Sequence, residues 1–323
     1  MPLSRCIPLA ATLALLVLPR LLPVAPAGAQ TASATAGTPV LAWPDELSGI
    51  ARLGASQLLL VDDEERRHVF IQPRHSSAKT LELRQVELPL SLDDLEAATS
   101  DGLGRVYLLT SHSVSKKGKL RPERRRLVRL PADPSAWASE VKVVLDLRQR
   151  LAAAIEPLIQ NAEHVNLNLE GLAWYPAAGL SGALCVGARS PLAGGHALVF
   201  EIEPVDALFT GEAVAVRAFT LDLGGRGVRG LAHDPYRDGV LVLAGAVRGD
   251  EPTPAIYLWR PRAESAVIPL LAPGLERLPQ PEAILAMGPL DGDGRGPILV
   301  VTEGTSSDGS PVVELIAGQA DER

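Results

Sequence analysis

The sequence predicts an all-β fold, a single β-propeller of four-stranded blades with one inserted helix. Two observations predict it. One strand-opening pattern recurs five times, and behind four of the five openers three further strand-like runs follow in fixed order. Fixed-order units of this kind, starting about fifty to seventy-five residues apart, are expected of blades stacked around an axis.

The first thirty residues of the 323 come before any opener. Arg5 gives a small positive start, a Leu/Ala/Val-rich run extends to about Val24, and Ala27-Gly28-Ala29 offers a small-residue cleavage site. That pattern predicts a signal peptide over 1–29 and a periplasmic or extracellular protein. Pro19, Arg20 and Pro23 interrupt the run, so no membrane-spanning helix is expected. Cys6 lies too early for a lipid anchor. The Ala/Thr/Ser-rich stretch 30–37 is expected to be a disordered linker, and 38–323 the propeller domain.

The openers are ELSGIARL (46–53), DLEAATSD (94–101), NLEGLAWYP (168–176), GVRGLAHDP (227–235) and QPEAILAMG (280–288). Second strands follow as QLLLVD, RVYLLTSH, ALCVGAR, GVLVLAGA and GPILVVTE, and third strands as HVFIQ, RLVRL, HALVFEIE, AIYLW and VVELI. Fourth strands are legible in the first four units only: LELRQVEL, VKVVLDL, VAVRAFTLD and AVIPLL. Five blades are expected, with six as the alternative if the long second unit hides another. TPVLAW (38–43) is a candidate for the missing edge strand of the last blade. The stretch 147–164 is the one helical pattern and is expected to be an insertion.

A meander blade brings first-strand starts, second-to-third loops and blade-to-blade connections to one mouth of the channel. The short turns DGLG, DPYRDG and DGDGRG fall at the other. Long polar loops on a rigid scaffold usually carry function, so the crowded mouth is the expected site. Aligning the openers there gives one column: Ser48, Glu96, Glu170, Arg229 and Glu282. A second group ends the second strands: Asp62, Asp63, His112, Arg189 and Glu303.

Glu96, Glu170 and Glu282 are candidate oxygen ligands for a hard cation such as Ca²⁺. Crowded carboxylates also make acid–base catalysts, and His112 and Glu170 are the catalytic candidates. Arg189, Arg226 and Arg229 are candidates to hold an anionic group, with Lys116 and Lys119 of the basic loop 116–126 as recruiting charges. A small anionic ligand is therefore the expected partner. The net charge is −7, or −9 once Arg5 and Arg20 are removed, which argues against nucleic-acid binding.

Other patterns are discounted. Gly225–Gly230 fits a dinucleotide fingerprint in letters but leads into a strand, not a helix. DGDGR (291–295) opens like an EF-hand, yet its twelfth position is Thr302. No zinc-like histidine spacing and no G-x-S-x-G occur. Cys185, the one cysteine beyond the leader, sits in an apolar strand and reads as core. Trp174 and Tyr175 read as packing between blades.

The ordered set SGIA, LEAA, TSHSVSKKGK followed by ER, LNLEGLA, GARSP and LGGRGVRGLA resembles an exported bacterial β-propeller family of unknown function. More distantly, Glu170-Gly171-Leu172-Ala173, with Glu96 and Glu282 as variants, is similar to the strand openers of esterase-like phytase propellers and related calcium-containing hydrolases. That similarity implies metal-assisted hydrolysis of an ester or phosphoester. Ser48 and Arg229 stand where the resemblance would place carboxylates. A non-catalytic binding propeller using the same residues is the other reading left open.

Overall fold

In this computed structural model, described for residues 38–39, 44–73, 83–115, 117–177, 182–249, 251–261, 267–305 and 311–320, every opener becomes an innermost strand. The expected leader, the linker and Lys116 lie outside the described residues.

Blade one holds β1 (Thr38–Pro39), β2 (Leu47–Leu53), β3 (Gln57–Asp62), β4 (His68–Pro73) and β5 (Arg84–Glu87). Blade two is β6 (Leu95–Ser100), β7 (Val106–Thr110), β8 (Leu127–Leu130) and β9 (Lys142–Val144). Blade three is β10 (Asn168–Tyr175), β11 (Ala183–Ser190), β12 (Ala197–Glu203) and β13 (Ala215–Leu221). Blade four is β14 (Gly227–Asp234), β15 (Gly239–Gly245), β16 (Ala255–Trp259) and β17 (Val267–Leu271). Blade five has three strands, β18 (Pro281–Ala286), β19 (Gly296–Thr305) and β20 (Pro311–Ala320). All pair antiparallel, and each innermost strand packs on the next, β18 returning to β2.

Strands buried on both faces need near-continuous apolar runs, which is what β3, β7, β15 and β19 carry. Their side chains form five apolar layers, one in each gap between neighbouring blades. Cys185 and Tyr175 lie in the layer between blades three and four, and Tyr175 donates to Glu201 Oε1 at 2.7 Å.

Two expectations are corrected in detail. Thr38 and Pro39, the described part of the 38–43 run, pair with β5 of blade one and not with blade five. The open edge of blade five is met from the other side: the end of β20 pairs with β17, Leu270 opposite Ala320. The helix of the 147–164 stretch ends at Ile155: Glu156 still holds helical backbone, but Pro157 has no N–H to continue the ladder, and the chain turns at Asn161. Two one-turn helices, Trp137–Glu140 and Val205–Leu208, flank it in sequence; in chain order the three are α1, α2 (Leu147–Ile155) and α3. No described helix is long and apolar enough to cross a membrane.

Beyond its apolar layer, the junction of blades five and one turns polar where Asp45 and Glu46 meet Glu303 and Gly304. The Gly304 N–H donates to the Asp45 carbonyl at 2.7 Å, and Glu46 is hydrogen-bonded to Glu303. Burial first, then that bond and the charges of Glu303 and Asp62, push Glu46 up to about 7 from its ordinary 4.5. A carboxyl whose folded pKa is raised stabilises the fold below its unfolded pKa, and that stability is lost as pH rises through about 7. Glu46→Gln, which keeps a donor at every pH, is therefore expected to lose less melting temperature than the wild type between pH 5 and pH 8. Parallel melting curves in EDTA would contradict this.

Candidate functional site

The five column residues share a backbone defect. In every blade the register slips at that position: Leu47 opposes Asp62 and Gly49 opposes Val61, so Ser48 opposes nothing. The same slip isolates Glu96, Glu170, Arg229 and Glu282. A bulge re-aims one side chain out of the pleat and is a usual device beside functional sites. Here it is repeated five times around one axis.

The column is not electrically uniform. Ser48 Oγ donates to the Leu95 carbonyl at 2.5 Å, tying blade one to blade two. Arg229 sits between two carboxylates, bonding Glu282 Oε1 and reaching Glu170 Oε2 at 3.5 Å. Arg189 Nη1 meets Glu170 Oε1 at 3.1 Å, and Asn168 Nδ2 donates to the same oxygen at 2.7 Å. Burial still pushes Glu170 up, despite Arg229 and Arg189. Glu282 is pushed up to about 8, first by burial and then by Glu170, against the pull of Arg229 and Arg189.

Among the described residues no cation bonds Glu96, although Arg229 is near enough to feel its charge. Burial and the charges of Glu170, Asp94, Asp63 and Glu282 hold its pKa well above the usual carboxylate range. Oxygens of Glu96, Asp63 and Asp94 lie within 4.8 Å of one another. Burial, then Asp62, Glu46 and Asp94, push Asp63 up to about 7, and its Oδ1 is buried without a donor. Asp94, with φ +62°, is gripped on Oδ2 alone: by Ser111 Oγ, by Ser113 Oγ at 3.2 Å and by Arg124 Nη1 at 2.7 Å. Asp94, His112 and Gln280 are three of the five described non-glycine residues with positive φ, and all three belong to this mouth. Such outliers are kept where surroundings over-determine them, often at functional sites.

The structure thus brings Glu96, Glu170 and Glu282 into one electrostatic cluster, with Arg189 and Arg229 among them. Arg226 is not drawn in: its Nε donates to the Thr253 carbonyl at 2.6 Å and its Nη1 to the Leu223 carbonyl at 3.0 Å. Lys119 is exposed on its loop. His112 is fully buried beside Arg148 and Arg125, both ring nitrogens lack a partner, and burial above all lowers its pKa to about 3. It is a neutral imidazole at neutral pH. Three arginines of the basic loop are structural, Arg121 and Arg124 converging on Asp93 and Arg126 donating to the Ser91 carbonyl.

Asp94 was not singled out by the column, though it stands two residues ahead of Glu96. The equivalent positions elsewhere are Glu46, Asn168, Gly227 and Gln280, four of the five polar. Side chains two apart along a strand point the same way, so this second column was legible as a companion to the first.

A cleft of about 440 Å³ opens between blades four and five at the same mouth, with Arg189, Arg229, Gln280 and Glu303 in its wall. It places two guanidiniums beside open space.

The chain is a β-propeller. No family model matches it, and no curated protein does. Solved structures similar to it include a gluconolactonase from Xanthomonas campestris, at 17% identity and a TM-score of 0.43 over 84% of this chain and 76% of that one. A fungal alcohol oxidase of the AA5 family, in complex with copper, matches at 12% identity and a TM-score of 0.42, over 84% of this chain and 62% of that one. An extracellular domain assigned to a one-component system of B. thetaiotaomicron matches at 14% identity and a TM-score of 0.39. There the propeller covers 87% of its own length and 28% of the other chain. At TM-scores below 0.5, none of these likenesses bears on this chain's chemistry.

Proposed function

We propose that the protein is a metal-assisted hydrolase of small anionic esters, phosphoester or carboxylic, with its site at the crowded mouth. The observation that carries this is the trio Asp63, Asp94 and Glu96. One oxygen from each of the three lies within 4.8 Å of the others, Asp63 Oδ1 is buried without a donor, and among the described residues no cation bonds Glu96 or Asp63. Hard oxygen ligands in this number suit Ca²⁺. The ligand set shifts from Glu96, Glu170 and Glu282, because Arg189 and Arg229 already occupy oxygens of the latter two.

Asp63, Asp94 and Glu96 would hold a divalent cation, which would supply positive charge against a developing oxyanion. Arg189 and Arg229 bind the anionic end of the substrate at the cleft wall. Glu170 fixes both guanidiniums. Glu282, pushed up to about 8, keeps its proton at neutral pH and is the candidate general acid. Export to the periplasm or beyond, proposed from the leader pattern, would place the site where millimolar calcium is ordinary.

Calorimetric titration with CaCl₂ tests the reading first. Saturable binding is expected for the wild type, with Glu96→Gln and Asp63→Asn each weakening it at least tenfold. Absence of binding removes the metal. Hydrolysis of p-nitrophenyl phosphate and p-nitrophenyl acetate, with and without EDTA, comes next. Calcium binding without turnover of either would favour a binding propeller, a reading that the pairing of Glu170 Oε1 with Asn168 and Arg189 also supports.

A further inference from the structure

A second cavity, of about 490 Å³, lies between α2 and the loop joining β7 to β8. Its wall combines Arg125 of the loop and Arg148 and Gln149 of the helix with the apolar Leu120, Ala152 and Ala153. We propose that this cavity binds a small organic anion, a phosphate monoester with a compact apolar substituent, through Arg125 and Arg148.

The charge balance points there. Among the described residues neither arginine pairs with a carboxylate. Arg148 is fixed by neutral acceptors, the His112 carbonyl at 2.8 Å and the Val165 carbonyl. Arg125 meets the Gln149 side-chain oxygen at 3.0 Å in that amide's favoured orientation. Its Nε is buried with no acceptor among the described residues. A buried donor left unmade costs about 1–3 kcal/mol, so a site that keeps one is a site with room for an acceptor.

The same loop shows that carboxylates were available for two of its other arginines, while Arg126 donates to the Ser91 carbonyl at 2.6 Å. Asp93 takes Arg121 and Arg124, and Asp94 takes Arg124 again. The two acids at the rim of the cavity are engaged elsewhere. Glu156 accepts from the backbone N–H groups of Asn161 and Ala162, and Glu163 faces His164. Burial and the nearby Arg125 charge disfavour the charged form of Arg148, the penalty that an oxyanion between them would relieve. His112, buried against the same two guanidiniums, is kept neutral by burial and by both of them. Planar guanidiniums match the oxygens of a phosphate, and the alanine and leucine wall leaves space for an apolar group rather than for a bare ion.

The test is calorimetry on the purified protein in EDTA, with phenyl phosphate and inorganic phosphate as probes. Phenyl phosphate is expected to bind saturably, and at least tenfold more tightly than inorganic phosphate. Arg125→Gln is expected to weaken it at least tenfold. So is Ala153→Phe, which fills the cavity and keeps both charges. Calcium titration should be unchanged in both variants, which separates this site from the acidic trio. No saturable binding, or binding that survives both variants and so belongs to Arg189 and Arg229, would overturn the assignment. Equal affinity for the two probes would overturn the apolar half of it.

Discussion

Arg229→Met is expected to lower the unfolding free energy by about 3–5 kcal/mol, seen as a fall in denaturant midpoint at unchanged slope. Arg229 is the cation between Glu282 and Glu170, whose side chains are only 9% and 4% exposed. Methionine fills much of the same volume, so the loss is electrostatic. Glu282 is left without the pairing charge that offsets its burial, and Glu170 keeps only Arg189 and Asn168. Removing the guanidinium takes away the leading influence that lowers both pKa values. Both carboxyls then titrate higher in the folded state than before. Raised folded pKa values mean stability that is present at low pH and lost as pH rises through them. The deficit of the variant should therefore be smallest near pH 5 and grow toward pH 9. Adding Glu282→Gln should recover part of it, which a double-mutant cycle reads directly. A loss under about 1 kcal/mol at pH 8 would show that the column is solvated and not a buried charge network.

The fold was legible because each opener repeats the same small-then-apolar pattern, and repetition leaves little freedom for another arrangement. The outermost elements were not. Thr38 and Pro39 joined blade one, where β5 offered a free edge in the same unit, and nothing in the letters of 38–43 distinguishes that edge from the one on blade five. The site was legible to the level of columns. The bulge under Ser48, Glu96, Glu170, Arg229 and Glu282 is part of the repeat, and the last four feel one another's charge. What a column cannot say is where long side chains reach. Arg226 and Arg229 are three residues apart, yet one is held by the carbonyls of Thr253 and Leu223 and the other by carboxylates. Nor does position tell that His112 turns to positive φ and buries its ring beside two arginines. Asp63 and Asp94 stood in the sequence beside their structural neighbours Asp62 and Asp93. Only the partners separate the pairs: Asp62 caps the turn at Glu64 and Glu65 and Asp93 gathers arginines, while Asp63 Oδ1 has no donor.

Gly227→Ala should be the most damaging single methyl in the chain. A Cβ at Gly227 would stand 2.0 Å from the Arg189 carbonyl oxygen and 2.7 Å from its carbon. Both sides of that contact are main chain, one in β14 and one in β11, so no rotamer change relieves it. Blades three and four would have to part at the mouth, and overpacking of this kind costs about 3 kcal/mol, the upper end of its ordinary range. The displaced segment carries Arg189, whose Nη1 reaches Glu170 and whose Nε reaches the Ala246 carbonyl at 3.2 Å. Gly54 serves as the control. It has φ +63° with open space around its missing Cβ, so Gly54→Ala introduces turn strain but no clash at the mouth. Gly227→Ala should therefore lower the melting temperature and weaken anion binding at the central cleft together. Gly54→Ala should lower the melting temperature alone. If Gly227→Ala left both unchanged, the close approach of β14 to β11 would not be what holds Arg189 in place, and the clamp assigned to Arg189 and Arg229 would lose its anchor.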